Sequence, residues 1–316
     1  MKKILVTASR YSTLCKTAKK LLEDNGFQID ENTTGSRYTV DELVKLVPAY
    51  DAAIVGMDPW HKDVIAKADR MKIIAKFGVG YDNIDVEAAN EKGITVTYAA
   101  GQNAVSVAEL AFSLLMSVVK NLNQFNTHVK NGIWDRELQY ELYGKTIGLY
   151  GFGNIAQKFA EMLTGFHVNI LAYDPYFNKE RADERNVTYA DVDTLLTQSD
   201  VISLHMPGFH EHTHIINETA LSIMKQNSIL INTARGNLID LTALQKVLDE
   251  QHLLGAGLDC FETEPVKELL PLFRHERVIC SPHCGGKTYE AYERISLSTA
   301  QNILDIFQGK TPENKL

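Results

Sequence analysis

Residues 146–156 read TIGLYGFGNIA, a short apolar run followed at once by a glycine-rich turn. The run has the length and composition of a buried β-strand, and the glycines come where such a strand would end. The segment that follows, Gln157–Thr164, has the length of a short helix. The stretch therefore predicts a strand, a tight turn and a helix, the beginning of a βαβ unit.

The turn from Gly151 to Ala156 has the spacing G-x-G-x-x-A, which is typical of turns that bind a dinucleotide pyrophosphate. Gly151 allows the tight turn, Gly153 lets backbone approach a phosphate, and Ala156 lets helix and strand pack closely. The next predicted strand ends in Asp174, about 20 residues on, where a carboxylate would bind the ribose 2′-hydroxyl and repel a 2′-phosphate. The pattern predicts NAD, in preference to NADP, as the cofactor. A structural glycine turn followed by a capping aspartate is the alternative.

Short apolar runs alternate with helix-length amphipathic segments on both sides of this turn, a pattern typical of parallel sheets covered by helices. A chain of 316 residues is long enough for two domains. We predict an α/β protein with two doubly wound parallel-sheet domains and a cleft between them. Residues 1–100 and 286–316 are predicted to form a flavodoxin-like substrate-binding domain, and residues 101–285 a Rossmann NAD-binding domain. One long helix, Ala104–Lys130, is predicted at their junction.

Composition and charge exclude several classes of partner. The net charge of −8 and the pI near 5.7 disfavour nucleic acids and anionic membrane surfaces, which attract basic proteins. No apolar run approaches the roughly 20 residues of a membrane span, and the first apolar residues are too few for a signal peptide. Four cysteines do not form a disulfide framework in a chain of this size. We therefore expect a cytoplasmic protein with no nucleic-acid or membrane partner.

Two sequence patterns imitate metal sites. Residues 210–214 read HEHTH and match the zinc-protease motif H-E-x-x-H, which requires both histidines on one helical face. Here the match follows Pro207-Gly208 and is predicted to lie in a loop. Cys280 and Cys284 have no second ligand pair at zinc spacing, so we predict small buried side chains and no metal. Cys284 is also a candidate for an oxidation-sensitive thiol.

Further motifs follow one another in a fixed order along the chain: GVGYDNID at 78–85, Asn103 with VAE at 107–109, HMP at 205–207 with Thr213, NTARG at 232–236, Asp259 with Glu264-Pro265, and SPH at 281–283. In this order they resemble the D-isomer-specific 2-hydroxyacid dehydrogenases, especially the phosphoglycerate dehydrogenases. The resemblance covers residues 75–286 and is weaker before them.

The resemblance implies that Arg235, Glu264 and His283 are the catalytic residues, and each residue type suits the chemistry. A guanidinium binds a carboxylate through a planar pair of hydrogen bonds and polarises a keto oxygen. An imidazolium supplies the proton that this oxygen needs when a hydride arrives at its carbon. A glutamate at the other ring nitrogen would fix the tautomer and favour the charged imidazole.

The resemblance also implies the residues that bind the two ligands. The predicted cofactor contacts are Gly151, Gly153, Asn154, Ile155, Asp174, His205, Pro207, Thr213, Thr233, Ala234, Asp259, His283 and Gly285. The predicted substrate contacts are Lys76, Val79, Gly80, Arg235 and His283. Asp259 is expected to accept from the nicotinamide amide, and the backbone of residues 78–80 to face a substrate carboxylate. Lys76 and Lys120 are each either a substrate ligand or a solvated surface residue.

The substrate is the least determined part of this prediction. Some phosphoglycerate dehydrogenases have an arginine in the loop after the third strand, where this chain reads GMDPW at 56–60. The sequence ends at Leu316, so we expect neither a C-terminal regulatory domain nor feedback by serine. The first hypothesis is interconversion of 3-phosphoglycerate and 3-phosphohydroxypyruvate. The alternatives are reduction of hydroxypyruvate, glyoxylate or another 2-keto acid, and an NAD-sensing protein that resembles a corepressor.

The predicted partners are a small anionic 2-hydroxy or 2-keto acid and a second copy of the chain. The apolar stripe Val107–Met116 suggests a buried helix that also approaches a dimer partner. The segment from Trp134 to Tyr143 suggests an arm in the same homodimer.

Overall fold

The computed structural model describes every residue from Met1 to Leu316. Its chain forms two compact units: unit 1 comprises Met1–Asn103 and Gly286–Leu316, and unit 2 comprises Ala104–Gly285. Each unit contains one sheet in which all neighbouring strands run parallel. The predicted α/β class with two parallel-sheet domains is confirmed.

Unit 1 begins with five strands and five helices. The strands are β1 (Lys2–Val6), β2 (Phe27–Glu31), β3 (Ala52–Val55), β4 (Ile73–Lys76) and β5 (Thr95–Thr97). The helices are α1 (Tyr11–Leu14), α2 (Lys16–Asp24), α3 (Val40–Leu46), α4 (Lys62–Ala66) and α5 (Val86–Glu91). The strand order is β2-β1-β3-β4-β5, the order of flavodoxin-like sheets.

Local sequence accounts for most of these elements. Helix α3 begins after Thr39, whose side chain accepts from the backbone of Glu42 while Glu42 binds the backbone of Thr39 in return. This reciprocal pair satisfies two N–H groups that the first helical turn would otherwise leave without a partner. Strand β2 is the exception. Only its first residue, Phe27, is buried, so this edge strand lacks the apolar run by which the other strands were predicted.

Unit 2 contains seven strands and seven helices. The strands are β6 (Thr146–Tyr150), β7 (Asn169–Tyr173), β8 (Val187–Tyr189), β9 (Val201–Leu204), β10 (Ser228–Asn232), β11 (Leu253–Leu258) and β12 (Val278–Cys280). The helices are α6 (Ala104–Val119), α7 (Leu122–Lys130), α8 (Asn154–Leu163), α9 (Lys179–Asp183), α10 (Val192–Gln198), α11 (Glu218–Ile223) and α12 (Leu241–Asp249). The order β12-β11-β10-β9-β6-β7-β8 places the reversal of chain direction between β6 and β9. In such sheets, ligands bind at this reversal, outside the carboxyl ends of the strands.

The predicted single helix Ala104–Lys130 is wrong, because the structure divides it into α6 and α7. The two helices meet at 63°, and Asn121 between them has the left-handed φ of 47°. Asparagine tolerates that conformation better than most residues, which explains why the break needs no glycine or proline. No single helix is long and apolar enough to cross a membrane, and α6 with α7 reaches that length only as a bent pair.

Helix α6 forms the centre of the unit 2 core. Its buried side chains, among them Leu114 and Leu115, pack against α8 and against strands β10 to β12. After β12 the chain re-enters unit 1 as α13 (Tyr289–Phe307), which packs against α2 and β4. Thr288 caps this last helix by accepting from the backbone N–H of Ala291.

Candidate active site

The glycine turn after β6 is closely packed on one side and open on the other. Gly151 has a φ of +97°, and a Cβ there would lie 2.8 Å from the backbone carbonyl of His205, which follows the neighbouring strand β9. A Cβ at Gly153, in contrast, would have no atom within 4 Å. No side chain caps the first turn of α8, so its free N–H groups face this open space. An uncapped helix N-terminus with room before it suits a pyrophosphate.

Asp174, which follows β7, binds the backbone of the same glycine turn. Its Oδ2 accepts from the backbone N–H of Phe152 at 2.8 Å, and its Oδ1 accepts from that of Tyr176 at 2.8 Å. Each carboxylate oxygen can accept more than one hydrogen bond, so the group remains able to accept from a ribose hydroxyl. The structure therefore places the acidic residue beside the glycine turn, as a dinucleotide site requires.

His205 turns its side chain into the interior of unit 2. Its Nε2 lies 2.9 Å from Ser203 Oγ, and its ring packs against Phe159 of α8. The Nδ1 atom is buried without a hydrogen-bond partner, and burial lowers the pKa of His205 to about 3. The imidazole is therefore neutral. Near it, Pro207 and Thr213 are exposed.

The segment after β10 is organised by Asn232, which the set of predicted site residues does not include. Its buried side chain donates to the backbone oxygen of Arg235 at 2.8 Å and accepts from the N–H of Ala234 at 3.0 Å. The hydroxyl of Thr233 is buried and lacks a partner. A buried polar atom without a partner is uncommon, and a bound ligand that supplies one would remove the cost. This feature fits the predicted contact of Thr233 with the cofactor.

Asp259 fixes the segment that carries His283. Its carboxylate accepts from Ser281 Oγ at 2.6 Å and from the backbone N–H groups of Cys284 and Gly285, both at 2.9 Å. Its backbone oxygen also accepts from the N–H of His283 at 2.8 Å. Because Asp259 is only 1% exposed, these bonds form in a protected environment. The predicted bond to the nicotinamide amide stays a prediction.

Glu264 and His283 form the central pair of the site. The Nδ1 atom of His283 lies 2.7 Å and 2.9 Å from the two carboxylate oxygens of Glu264. The backbone N–H of Phe261 donates to Oε1 at 3.0 Å and so fixes the carboxylate. With Nδ1 directed at Glu264, Nε2 is the ring nitrogen left for another partner. Both side chains are partly exposed, at 36% for His283 and 21% for Glu264.

Arg235 and Cys260 lie near this pair. The half-buried Arg235 donates from Nη1 to the backbone oxygen of Ala234, which also accepts from the Cys260 thiol at 3.4 Å. Burial raises the pKa of Cys260 far above its usual range, Asp259 adds to this rise, and Arg235 opposes it. Cys260 is absent from the predicted site residues, because it directly follows an apolar strand and has no spacing signal. The three predicted catalytic residues all follow carboxyl ends of adjacent strands, β10 to β12.

The predicted substrate residues of unit 1 follow β4. Lys76 is buried, at 2% exposure, so it is not a solvated surface lysine. Its Nζ donates to the backbone oxygen of Gly56 at 2.5 Å and to Asn83 Oδ1 at 2.7 Å. The adjoining Val79 and Gly80 are partly exposed. The other candidate, Lys120, binds the backbone oxygen of Tyr140 at 2.7 Å.

The structure bears differently on the two sequence patterns that resemble metal sites, the HEHTH sequence and the Cys280–Cys284 pair. Residues 210–212 of the HEHTH sequence form a single 3₁₀ turn, and His214 has a φ of 53°, so its two outer histidines do not share a helical face. The prediction that both Cys280 and Cys284 are buried is wrong. Cys280 is exposed and Cys284 partly exposed, because β12 is the edge strand of its sheet.

Comparisons with known proteins agree with this geometry. Residues 112–285 match the family model described as D-isomer specific 2-hydroxyacid dehydrogenase, NAD binding domain. The D-3-phosphoglycerate dehydrogenase of Methanocaldococcus jannaschii is 39% identical over 99% of this chain, which spans 59% of that protein. The glyoxylate reductase of Thermococcus litoralis is 40% identical over 87% of this chain and 83% of its own length.

A solved structure extends the comparison to a bound cofactor. The D-lactate dehydrogenase of Aquifex aeolicus, complexed with NAD and lactic acid, is 29% identical, with a TM-score of 0.83 over 98% of this chain and 96% of that one. The family match and this likeness confirm NAD as the predicted cofactor. By fold, by site and by sequence, the chain belongs to the D-isomer-specific 2-hydroxyacid dehydrogenase family.

Proposed function

We propose that this protein is an NAD-dependent dehydrogenase that interconverts a short D-2-hydroxy acid and its 2-keto acid. The observation that carries the proposal is the Glu264–His283 pair, 2.7 Å apart at the carboxyl end of the NAD-binding sheet. A partly exposed imidazole that is fixed through Nδ1 by a carboxylate has a defined tautomer and a free Nε2. This is the arrangement of a general acid and base.

In the reducing direction, Arg235 binds the substrate carboxylate and polarises the keto oxygen. NADH, when bound, supplies the hydride. His283 donates its Nε2 proton to the oxygen as negative charge develops there, and Glu264 stabilises the imidazolium before that transfer. In the oxidising direction, the neutral imidazole accepts the hydroxyl proton at the same nitrogen.

We further propose that the preferred substrates are short unphosphorylated 2-keto acids such as glyoxylate and hydroxypyruvate. The ammonium of Lys76, a predicted substrate contact, already donates to Gly56 and Asn83. The loop where some phosphoglycerate dehydrogenases have an arginine instead contains Asp58, which is 1% exposed and accepts from the backbone N–H of Tyr38 at 2.7 Å. These two observations favour an unphosphorylated acid over a phosphate dianion.

Interconversion of 3-phosphoglycerate and 3-phosphohydroxypyruvate, a step toward serine, is the second candidate. It is favoured by the Methanocaldococcus relative of that name, whose similarity extends over 99% of this chain. Steady-state rates of NADH oxidation with glyoxylate, hydroxypyruvate and 3-phosphohydroxypyruvate separate the two. We expect a higher kcat/KM for the unphosphorylated acids. A higher kcat/KM for the phosphorylated acid would establish the second candidate instead.

Substitution of His283 tests the catalytic assignment itself. We expect His283→Ala to lower kcat about 100- to 10,000-fold in both directions, the range for loss of a general acid and base. NADH binding, followed by the quenching of protein fluorescence, serves as the control for folding. If wild-type protein binds NADH tightly but reduces no 2-keto acid, the protein is an NAD-sensing protein and the dehydrogenase proposal fails.

A homodimer is proposed from the surface of unit 2. Helix α7 and the segment after it expose a set of large apolar side chains: Leu122, Val129, Ile133, Trp134, Leu138, Tyr140 and Tyr143. Such a concentration on one part of the chain is typical of an interface, because water disfavours large exposed apolar patches. Light scattering should give the mass of a dimer, and Leu138→Lys with Trp134→Lys should give a monomer. A monomeric wild type would contradict the proposal.

A cytoplasmic location is proposed from the cysteines. All four are free thiols, as a reducing compartment would keep them. Retention of a tagged copy with a cytoplasmic marker on cell fractionation would support this location, and co-purification with membranes would contradict it.

A further inference from the structure

The catalytic pair has a third neighbour whose chemistry attracts metal ions. Ligand atoms of Cys260, Glu264 and His283 all lie within 4.8 Å of one another. Thiolate, carboxylate and imidazole are the three ligand types that bind zinc in proteins, and catalytic zinc sites commonly use three protein ligands with water as the fourth. Magnesium and calcium prefer oxygen ligands alone, so this mixed set favours a softer ion.

The cluster needs little rearrangement to surround an ion. Zinc is tetrahedral in proteins, and its bonds of about 2.3 Å to sulfur and about 2.1 Å to nitrogen or oxygen place two of its ligands about 3.4 to 3.6 Å apart. The nearest atoms of Glu264 and His283 are 2.7 Å apart, so they must separate by about 0.7 Å to bind the same ion. The Cys260 sulfur lies within 4.8 Å of both groups and must approach them by at most about 1.2 Å.

We propose that Cys260, Glu264 and His283 form an inhibitory zinc site. Binding replaces the thiol proton of Cys260 with the ion, and the proton goes to solvent without any transfer of electrons. A ligating imidazole must be neutral, so the ion also displaces any proton on the bound ring nitrogen. The consequence for turnover rests on the proposed function: with its imidazole and carboxylate held by the ion, the site can no longer donate or accept the substrate proton.

Cys260 gives the proposal a clean control, because it has no part in the proposed proton transfer. The residue is 2% exposed, and its thiol donates to the backbone oxygen of Ala234 at 3.4 Å. Cys260→Ser and Cys260→Ala should therefore keep turnover while removing the sulfur ligand. Cys280→Ser serves as the matched control, since that exposed cysteine lies on β12 of the same sheet.

The test measures metal binding directly, on the full chain without NAD or substrate. Equilibrium dialysis with Zn²⁺ should give about one ion per chain for wild type and Cys280→Ser. The apparent Kd should rise at least about tenfold in Cys260→Ser, since loss of even an outer partner of a metal ligand has that effect. Co²⁺ in place of Zn²⁺ should show a near-ultraviolet thiolate-to-cobalt absorption band that Cys260→Ser and Cys260→Ala lack.

Activity provides a separate readout. Zinc that abolishes NADH oxidation by wild type should leave Cys260→Ser active, and Mg²⁺ should inhibit neither. Equal zinc affinity in wild type and Cys260→Ser, or no binding to wild type, would overturn the proposal. If no 2-keto acid is reduced, the proposed function fails while dialysis and the cobalt spectrum still decide whether the site exists.

Discussion

The Gly151–Gly153 turn in unit 2 and the Gly78–Gly80 loop in unit 1 both follow the carboxyl end of a parallel strand. The Gly151–Gly153 turn leads directly into the ten-residue helix α8 and packs closely against the backbone of His205. The second leads into no helix, and a Cβ at Gly78 would contact only the side chain of Lys76, at 3.9 Å. The two loops look alike as sequence but are held differently.

This difference separates two kinds of ligand site. The first loop owes its shape to local rules, since a strand, two glycines and a helix N-terminus are enough to make an anion site. The second depends on Lys76, whose partners Gly56 and Asn83 come from other parts of the chain. We therefore expect substitutions in the first loop to act on the cofactor and those in the second to act on stability and substrate.

The largest effect should come from Gly151→Ala. The new Cβ would lie 2.8 Å from the His205 carbonyl, and the φ of +97° disfavours any side chain. Relief of about 3 kcal/mol of strain should displace this turn from the geometry that accepts a pyrophosphate, so we expect roughly hundredfold weaker NADH binding. Fluorescence titration with NADH measures the effect. Gly78→Ala is the matched control, and a weaker affinity in that variant than in Gly151→Ala would remove the distinction between the loops.

Lys76→Met should have the next largest effect, on stability rather than on NADH. The substitution removes a buried donor and leaves the backbone oxygen of Gly56 and the side-chain oxygen of Asn83 without it. The Gly56 oxygen keeps Asn83 Nδ2 as a donor at 3.2 Å, so mainly the Asn83 oxygen loses its partner, and we expect a loss of about 2 kcal/mol. Urea unfolding measures this loss. Unchanged stability with a lower affinity for 3-phosphohydroxypyruvate would show instead that Lys76 binds phosphate.

Gly153→Ala should separate affinity from stability. A Cβ there meets no protein atom within 4 Å, and the φ of −77° suits any residue. The variant should therefore keep the melting temperature of wild type. Its methyl group would nevertheless occupy the space before α8, so we expect about tenfold weaker NADH binding, or about 1.4 kcal/mol. Wild-type affinity would mean that the cofactor does not approach this glycine.

The smallest effect concerns His205, behind the first loop. Unfolded chains bind a proton on histidine below the usual pKa of 6.5, whereas burial keeps folded His205 neutral down to about 3. The unfolded state thus binds more protons in this window, and stability falls as pH falls through it. Between pH 7 and 5.5 the loss should be about 1 kcal/mol, and His205→Phe should lack it. Equal pH dependence of urea unfolding in both proteins would contradict the buried neutral imidazole.

The fold was predictable wherever structure depends on short patterns. The alternation of apolar runs with helix-length segments predicted the two parallel sheets, and the glycine turn predicted the positions of α8 and Asp174. The edge strand β2 was not predicted, because only one of its residues is buried. The break at Asn121 was not predicted, because the residues on both sides of it favour a helix and the local sequence contains no residue that ends one.

The sequence proposed the residues of the candidate site but did not predict their arrangement. Arg235, Glu264 and His283 came from the family resemblance, and their shared location follows from the parallel order of β10 to β12. Nothing in the sequence shows that Asn232 holds the backbone around Arg235 or that Cys260 adjoins the catalytic pair. Both contacts depend on the conformation of the loops that follow the strands, and the hydrophobic periodicity of the sequence does not predict loop conformation.

The hydrogen bonds of Asp259 have a consequence for how this protein can change over generations. Because one buried carboxylate holds Ser281, Cys284 and Gly285, the position of the reactive imidazole is set inside unit 2 alone. The residues around Lys76 belong to a different sheet and share none of these bonds. On the proposed assignment of the site, mutations in unit 1 should therefore alter the accepted acid without disturbing hydride chemistry. An engineer who wishes to change the substrate should vary unit 1 and leave the Asp259 bonds intact.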